Sequence, residues 1–123
     1  MPWNFENDRP IYIQLVERIQ LLIFSGTYPA GTKLPSVRDL ANEAAVNPNT
    51  MQRALAKLEE DGLIITQRTS GRFVTEDEKM IKKARDKLVQ EQINEFLVKI
   101  QDLGFGKEEV LAIITKMLEE MKI

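Results

Sequence analysis

Two short helical patterns separated by a tight turn constrain this chain more than any other feature of its sequence. Val37, Leu40, Ala41 and Ala44 recur at helical spacing behind Ser36, whose hydroxyl can cap the free N–H groups of a first turn. Asn47 can cap a second helix, with Pro48 at the first helical position, where a missing N–H costs nothing. The sequence therefore predicts two helices joined by a few residues.

The second of these helices has two chemically different faces. Its apolar face carries Met51, Ala54, Leu55 and Leu58, and its opposite face, called the polar face below, carries Asn49, Gln52, Arg53 and Ala56. A short helix that presents amide and guanidinium groups has the size and the chemistry to enter the major groove of DNA and pair with base edges.

A β-hairpin is predicted after the second helix. Residues 63–68 are rich in β-branched side chains, and residues 72–75 resume the pattern after Thr69-Ser70-Gly71. We expect Gly71 to supply a positive φ at the tip, with Arg68 and Arg72 on either side of it. Such a tip beside a helix in the major groove can lie against the DNA backbone or the minor groove.

Composition limits the classes of protein that this chain can belong to. With 123 residues, 43% of them hydrophobic, it has enough core for one domain and an appended element. Histidine and cysteine are absent, which removes the usual zinc ligands, thiol nucleophiles, imidazole bases and disulfides. We therefore expect no enzyme activity, no metal and no cofactor. No apolar run approaches the length of a membrane span, and no leader pattern opens the chain, so we place it in the cytoplasm without a membrane partner.

The net charge of −2 does not by itself favour a nucleic-acid partner. Residues 1–75 hold eight basic and eight acidic side chains, and residues 76–123 hold nine basic and eleven acidic ones. Local placement is more informative, because the basic residues at 33, 38, 53, 68 and 72 all flank the turn, the second helix or the hairpin.

A further helix is predicted to begin at Pro10 and to end at Gly26, with an apolar stripe formed by Tyr12, Leu15, Val16, Ile19, Leu22 and Ile23.

The order of these motifs resembles the winged helix-turn-helix regulators of the GntR family. The resemblance rests on the proline-led first helix, a loop ending L-P-S, then V-R-D-L-A, N-P-N-T, L-E-E-D-G-L and S-G-R-F-V, and it covers residues 9–75. The short tail is similar to that of the YtrA-type branch. The resemblance implies a mainly α fold with a small β-hairpin wing, a DNA-binding domain at 1–75 and a two-helix dimerisation tail at 76–123.

The resemblance also implies which residues meet DNA: Arg38, Asn47, Pro48, Asn49, Thr50, Gln52 and Gly71. To these we add Lys33, Ser36, Arg53, Arg68 and Arg72 from their placement, although Ser36 and Asn47 taken singly are more typical of helix caps. Two positions depart from the wider family. Members with long effector domains often have arginine where this chain has Pro48, and a glycine often stands where this chain has Thr69.

The tail is predicted to form two amphipathic helices. Thr75 and Glu78 have the spacing of a capping box, and Gly104-Phe105-Gly106 separates the two helices. Their apolar stripes predict a hairpin that pairs with the same hairpin of a second chain, and the alternative is that the tail folds back on its own winged domain. The residues predicted to mediate dimerisation are Val89, Ile93, Phe96, Leu97, Ile100, Val110, Ile114, Met117, Leu118 and Met121.

The sequence thus predicts a homodimeric, DNA-binding transcriptional regulator, in particular a repressor that occludes a promoter at an inverted-repeat operator. The resemblance further implies control of its own operon and of neighbouring transporter genes. The alternative is a protein-interaction adapter that keeps the winged fold without binding DNA. The sequence assigns no small-molecule effector.

Overall fold

The computed structural model describes residues 3–121 and contains five helices and one two-stranded sheet within that range. Their bounds are α1 Ile11–Phe24, α2 Val37–Ala44, α3 Pro48–Glu60, β1 Ile64–Gln67, β2 Gly71–Val74, α4 Glu78–Asp102 and α5 Lys107–Met121. The predicted class, mainly helical with a small hairpin wing, is confirmed. Residues 1–2 and 122–123, at the outer ends of the two expected domains, lie outside the described range.

The chain divides between Arg85 and Asp86 into two compact units. In the first unit, α1 and α2 both pack on α3, and α3 also packs on β1. The predicted apolar stripes supply the core, because Leu15, Ile19, Leu40, Met51 and Leu58 are all fully buried. Burial of these side chains provides the main favourable term for folding of this unit, at about 25 cal/mol per Å² of apolar surface. Two members of the α1 stripe, Tyr12 and Leu22, stay half-buried.

The turn between α2 and α3 combines two predicted caps with one unexpected conformation. The Ser36 hydroxyl accepts a hydrogen bond from the backbone N–H of Asp39 at 3.1 Å, and the Asn47 side-chain oxygen accepts one from Asn49 at 2.8 Å. Ala45 lies between the helices in the left-handed region, with φ 59° and ψ 47°. This conformation closes α2, since the amide of Val46 reaches back to the carbonyl of Ala41 at 3.0 Å.

The wing is an antiparallel hairpin in which Ile64 pairs with Val74 and Gln67 with Gly71. Gly71 has the predicted positive φ, at 105°, but it is the first residue of β2, and the turn itself is formed by residues 68–70. The loop before α2 adds a third backbone segment, since Lys33 forms a bridge with Phe73. The loop is held there by hydrogen bonds from Leu34 N–H to the Arg72 carbonyl and from Val74 N–H to the Thr32 carbonyl, at 2.8 and 2.9 Å.

The expected capping box at Thr75 is not the cap of α4. Thr75 is buried and continues the wing, because its N–H donates to the Leu63 carbonyl at 2.9 Å. Its hydroxyl accepts from the N–H of Asp77, and the Asp77 carboxylate in turn accepts from Lys79 and Met80 at 3.1 and 3.2 Å. Asp77 is therefore the capping residue. The first unit extends past Thr75 to Arg85, because Ile81 and Ala84 on the first turns of α4 pack against its core.

The second unit consists of the rest of α4 and of α5, and neither helix contains a buried side chain. Few close backbone contacts join the two helices. Within residues 3–121, no helix combines the length and apolar character that a membrane crossing requires.

Candidate nucleic-acid interface

The polar face of α3 points away from the core, as predicted. Asn49, Gln52, Arg53 and Ala56 are all exposed, whereas Met51, Ala54, Leu55 and Leu58 are buried. Residues three and four apart on a helix are surface neighbours, so Asn49, Gln52 and Arg53 form one continuous patch of hydrogen-bonding groups. This patch has the donors and acceptors that base edges in the major groove require.

The residues that begin α2 and α3 serve first as caps. Ser36 and Asn47 each use a side-chain oxygen to hold the first turn of a helix, and Pro48 occupies the first position of α3. The side-chain amide of Asn47 makes no hydrogen bond within residues 3–121, so its N–H donors remain available. Thr50 is half-buried one turn along. The capped end of α3 thus combines free donors with the positive end of the helix dipole, and both suit a phosphate.

Arg53 adopts a defined position on the polar face. Its guanidinium carbon lies 3.7 Å from the centroid of the Tyr12 ring, in a cation–π stack between α3 and the first turn of α1. Pro10, Ile11, Asn49 and Thr50 line the same shallow concavity. The sequence pattern assigned Tyr12 to the apolar stripe. A signal for its second role was its position in the first turn, two residues after Pro10, where the apolar stripe reaches the end of the helix.

The other predicted cations around α3 are not neutralised by carboxylates. Lys33, Arg38 and Arg68 are exposed, and none of them forms an ion pair within residues 3–121.

Two basic residues outside the predicted set are paired instead. Arg9 is held by Glu17 at 2.7 Å, and Lys57 is held by Asp61 at 3.3 Å. Glu17 raises the pKa of Arg9 and Asp61 raises the pKa of Lys57, in both cases mainly through the side-chain hydrogen bond. Among the basic residues at positions 3–75, the unpaired ones are therefore Arg18 and the five residues predicted to contact DNA.

The wing brings Lys33, Gly71 and Arg72 together. A methyl group built on Gly71 would lie 3.1 Å from Cε of Lys33, so the lysine side chain runs beside the glycine. Arg72 is half-buried, and its Nε is enclosed without a hydrogen-bond partner in the described part of the chain. The loop before α2 and the strand β2 thus contribute to one basic surface, which Arg68 extends into the turn.

The residues predicted to mediate dimerisation lie on α4 and α5 with little cover from their own chain. Seven of the ten are exposed, with fractions from 39% at Leu97 to 60% at Met121. The other three, Ile100, Val110 and Ile114, are half-buried. Large apolar side chains exposed along two adjacent helices are typical of a protein–protein interface. No group of three or more acidic side chains in residues 3–121 is arranged to hold a metal ion.

The chain matches a family model and several known proteins in sequence. The family model described as "Bacterial regulatory proteins, gntR family" matches residues 11–74, from the start of α1 to the end of β2. The "Uncharacterized HTH-type transcriptional regulator YhcF" of Bacillus subtilis is 36% identical over 108 residues, which are 88% of this chain and 89% of that protein. The "HTH-type transcriptional repressor YtrA" of the same organism is 31% identical over 114 residues, covering 92% and 88% of the two chains.

Solved structures agree with the sequence relatives. A GntR family transcriptional regulator from Listeria monocytogenes superposes with a TM-score of 0.86 at 41% identity, over 91% of this chain and 98% of that one. The AraR DNA-binding domain, solved in complex with operator ORX1, superposes with a TM-score of 0.55 at 26% identity, over 58% of this chain and 93% of that one. The match of the family model and the near full-length relatives show that this chain belongs to the gntR family of bacterial regulatory proteins and is a DNA-binding transcriptional regulator.

Proposed function

We propose that the chain acts as a homodimeric repressor, which binds an inverted-repeat operator and blocks access to a promoter. Asn49, Gln52 and Arg53 read base edges in the major groove, where an amide pairs with adenine and a guanidinium with guanine. The cap of α3, the start of α2 and the wing hold the phosphates on either side. Repression is supported by the YtrA relative, which is named a transcriptional repressor.

The observation that carries this proposal is the set of unpaired cations around the polar face. Lys33, Arg38 and Arg68 are exposed without carboxylate partners in residues 3–121, although acidic residues as numerous as basic ones occur in the first 75 residues. An unpaired cation at a surface loses little when it meets a phosphate, because no existing ion pair has to break. Counterions released from the DNA then favour binding.

The division of labour within this surface is tested by two substitutions. Arg38→Ala removes a phosphate contact, so we expect it to weaken binding to every duplex by a similar factor. Gln52→Ala removes a base contact, so we expect it to relax the preference at particular base pairs. Lys116→Ala, which removes a charge from exposed α5, is the matched control and should leave affinity unchanged. Equal losses from Arg38→Ala and Gln52→Ala on every duplex would refute this division.

The salt dependence of affinity tests the number of phosphate contacts. If about three basic groups of each protomer neutralise phosphates, a dimer should give a slope of log K against log salt of about −5. Fluorescence anisotropy with a labelled operator duplex measures this slope directly. A slope near −1 would contradict the contact set.

The dimer is supported by the apolar stripes of α4 and α5, in which no side chain is buried and most are exposed within residues 78–121. We expect Ile93→Glu to convert the dimer into a monomer, because a carboxylate would be buried in the interface. Asn94→Glu adds the same charge to the neighbouring residue, off the stripe, and should leave the dimer intact. Sedimentation equilibrium distinguishes a monomer from a dimer in both variants. The proposed interface would be contradicted if the unaltered chain were monomeric, or if the Ile93→Glu variant stayed dimeric.

A further inference from the structure

We infer that Tyr12 is a positioning residue for base readout, so that α1 as well as α3 determines the sequence preference of this chain. The inference rests on the proposed function and names a residue that supports it. Tyr12 lies in the first turn of α1, and the Arg53 guanidinium stacks on its ring at 3.7 Å. At this distance the cation and the ring face are in van der Waals contact. The pair Arg18 and Trp3, at 5.8 Å, is looser.

The mode of contact leaves Arg53 able to pair with a base. A guanidinium carries its five N–H donors in its plane, whereas a stack uses only its face. Within residues 3–121 no carboxylate or carbonyl accepts a hydrogen bond from Arg53. In Arg9, by contrast, one terminal nitrogen donates to both carboxylate oxygens of Glu17, at 2.7 and 2.9 Å. The ring therefore restrains Arg53 and leaves the donors at its edge free for guanine O6 and N7.

Restraint matters because Arg53 is exposed and its side chain has many rotamers. A free arginine loses this rotamer freedom when it pairs with a base, and that loss weakens binding. An arginine that is already stacked has lost part of its rotamer freedom before it meets DNA, so it loses less of that freedom on binding.

Tyr12 is well placed to provide this restraint, since α1 is fixed on α3 by the fully buried Leu15 and Ile19. The stack also borders the same concavity as Asn49 and Thr50, two residues predicted to contact DNA.

The test measures base preference at single positions. An operator is first selected by the unaltered full-length chain, and duplexes with one substituted base pair are then compared in competition binding. Arg53→Ala identifies the base pair that Arg53 reads. Tyr12→Leu keeps an apolar side chain and removes the ring, so we expect about a 5-fold loss of discrimination at that base pair and no change at the others. Tyr12→Phe keeps the ring face and should retain discrimination within about 2-fold.

A double variant separates positioning from a general structural role. In the Arg53→Ala background, Tyr12→Leu should cause no further loss of discrimination, because the group that it positions is gone. Unchanged discrimination in Tyr12→Leu, with the unaltered chain still selecting an operator, would overturn this inference and leave the proposed function standing. A uniform loss at all base pairs, or an equal loss in Tyr12→Phe, would overturn it as well. An unaltered chain that selects no duplex would overturn the proposed function together with this inference.

Discussion

Asn47 allows the structural and the DNA-binding roles of one side chain to be separated. Its side-chain oxygen caps α3 by accepting from Asn49 N–H at 2.8 Å, and its side-chain amide has no partner within residues 3–121. Asn47→Ala removes both groups. Asn47→Asp keeps the accepting oxygen and replaces the donors with a negative charge. Asn47→Ala should therefore mainly lower the stability of the fold, whereas Asn47→Asp should mainly lower the affinity for DNA.

The expected magnitudes follow from this geometry. Loss of an Asn cap costs about 1 kcal/mol, which lowers Tm by about 4 °C in a domain of this size. The Asp carboxylate retains the cap and complements the helix dipole, so Asn47→Asp should keep or slightly raise Tm. Against DNA, a carboxylate about 4 Å from a phosphate costs about 1 kcal/mol in water, which for the two copies of a dimer is about a 30-fold loss of affinity.

Thermal unfolding followed by circular dichroism and operator binding followed by fluorescence anisotropy measure the two effects on the same samples. Asn94→Asp makes the same chemical change on exposed α4 and should alter neither quantity by much. We also expect the salt slope of Asn47→Asp to move towards zero by about 2, since each protomer neutralises about one phosphate fewer. An Asn47→Asp variant with native Tm and native affinity would show that the start of α3 does not face phosphates.

Three further predictions concern the first unit. Leu55→Ala should lower the free energy of unfolding by about 2–5 kcal/mol in a denaturant titration, because Leu55 is 1% exposed and leaves a cavity between α3 and its neighbours. Ala45→Gly should raise it by up to about 1 kcal/mol in the same titration, because Ala45 has φ 59° and glycine adopts that conformation without strain; an unchanged or lower value would contradict the strain. Burial, and then the charge of Glu43, raise the pKa of the Tyr28 phenol above its ordinary value of 10.0. The stability due to Tyr28 should be fully present below pH 10.0 and lost as the pH rises through the raised pKa, because the unfolded chain ionises more readily. The Tyr12→Phe variant has Tyr28 as its only tyrosine, so its phenolate absorbance measures the raised pKa.

Local chemistry accounts for the parts of the fold that the sequence predicted well. Ser36 and Asn47 act as caps because a side-chain oxygen at that position satisfies N–H groups of its own helix, whatever the rest of the chain does. The apolar stripe of α3 is buried because a helix with one apolar face removes that face from water by packing it against the core. The positive φ of Gly71 follows from the turn that precedes it.

The features that the sequence did not predict depend on contacts between distant residues. Thr75 and Asp77 both have capping chemistry, and the choice of Asp77 follows from the bond that Thr75 makes to Leu63 in the wing. The bridge between Lys33 and Phe73 joins segments forty residues apart. In Ala45 the left-handed conformation is imposed by the tight connection between two packed helices, since alanine has no preference for it.

The candidate site shows the same limit. Sequence spacing predicted the exposed side chains on one face of α3, but it could not predict which of them the neighbouring helix restrains. Tyr12 and Arg53 are forty-one positions apart, and only the packing of α1 on α3 brings them together.

Selection of duplexes from a random pool by the full-length chain, followed by measurement of how many chains bind the selected site, tests the central claim most directly. The claim is that two copies of the polar face of α3 engage two half-sites of one operator. We predict enrichment of an inverted repeat whose half-sites are centred about 10 base pairs apart, or a multiple of that spacing, with two chains bound to it. Failure to enrich any duplex, or enrichment of an asymmetric site that holds a single chain, would contradict the claim.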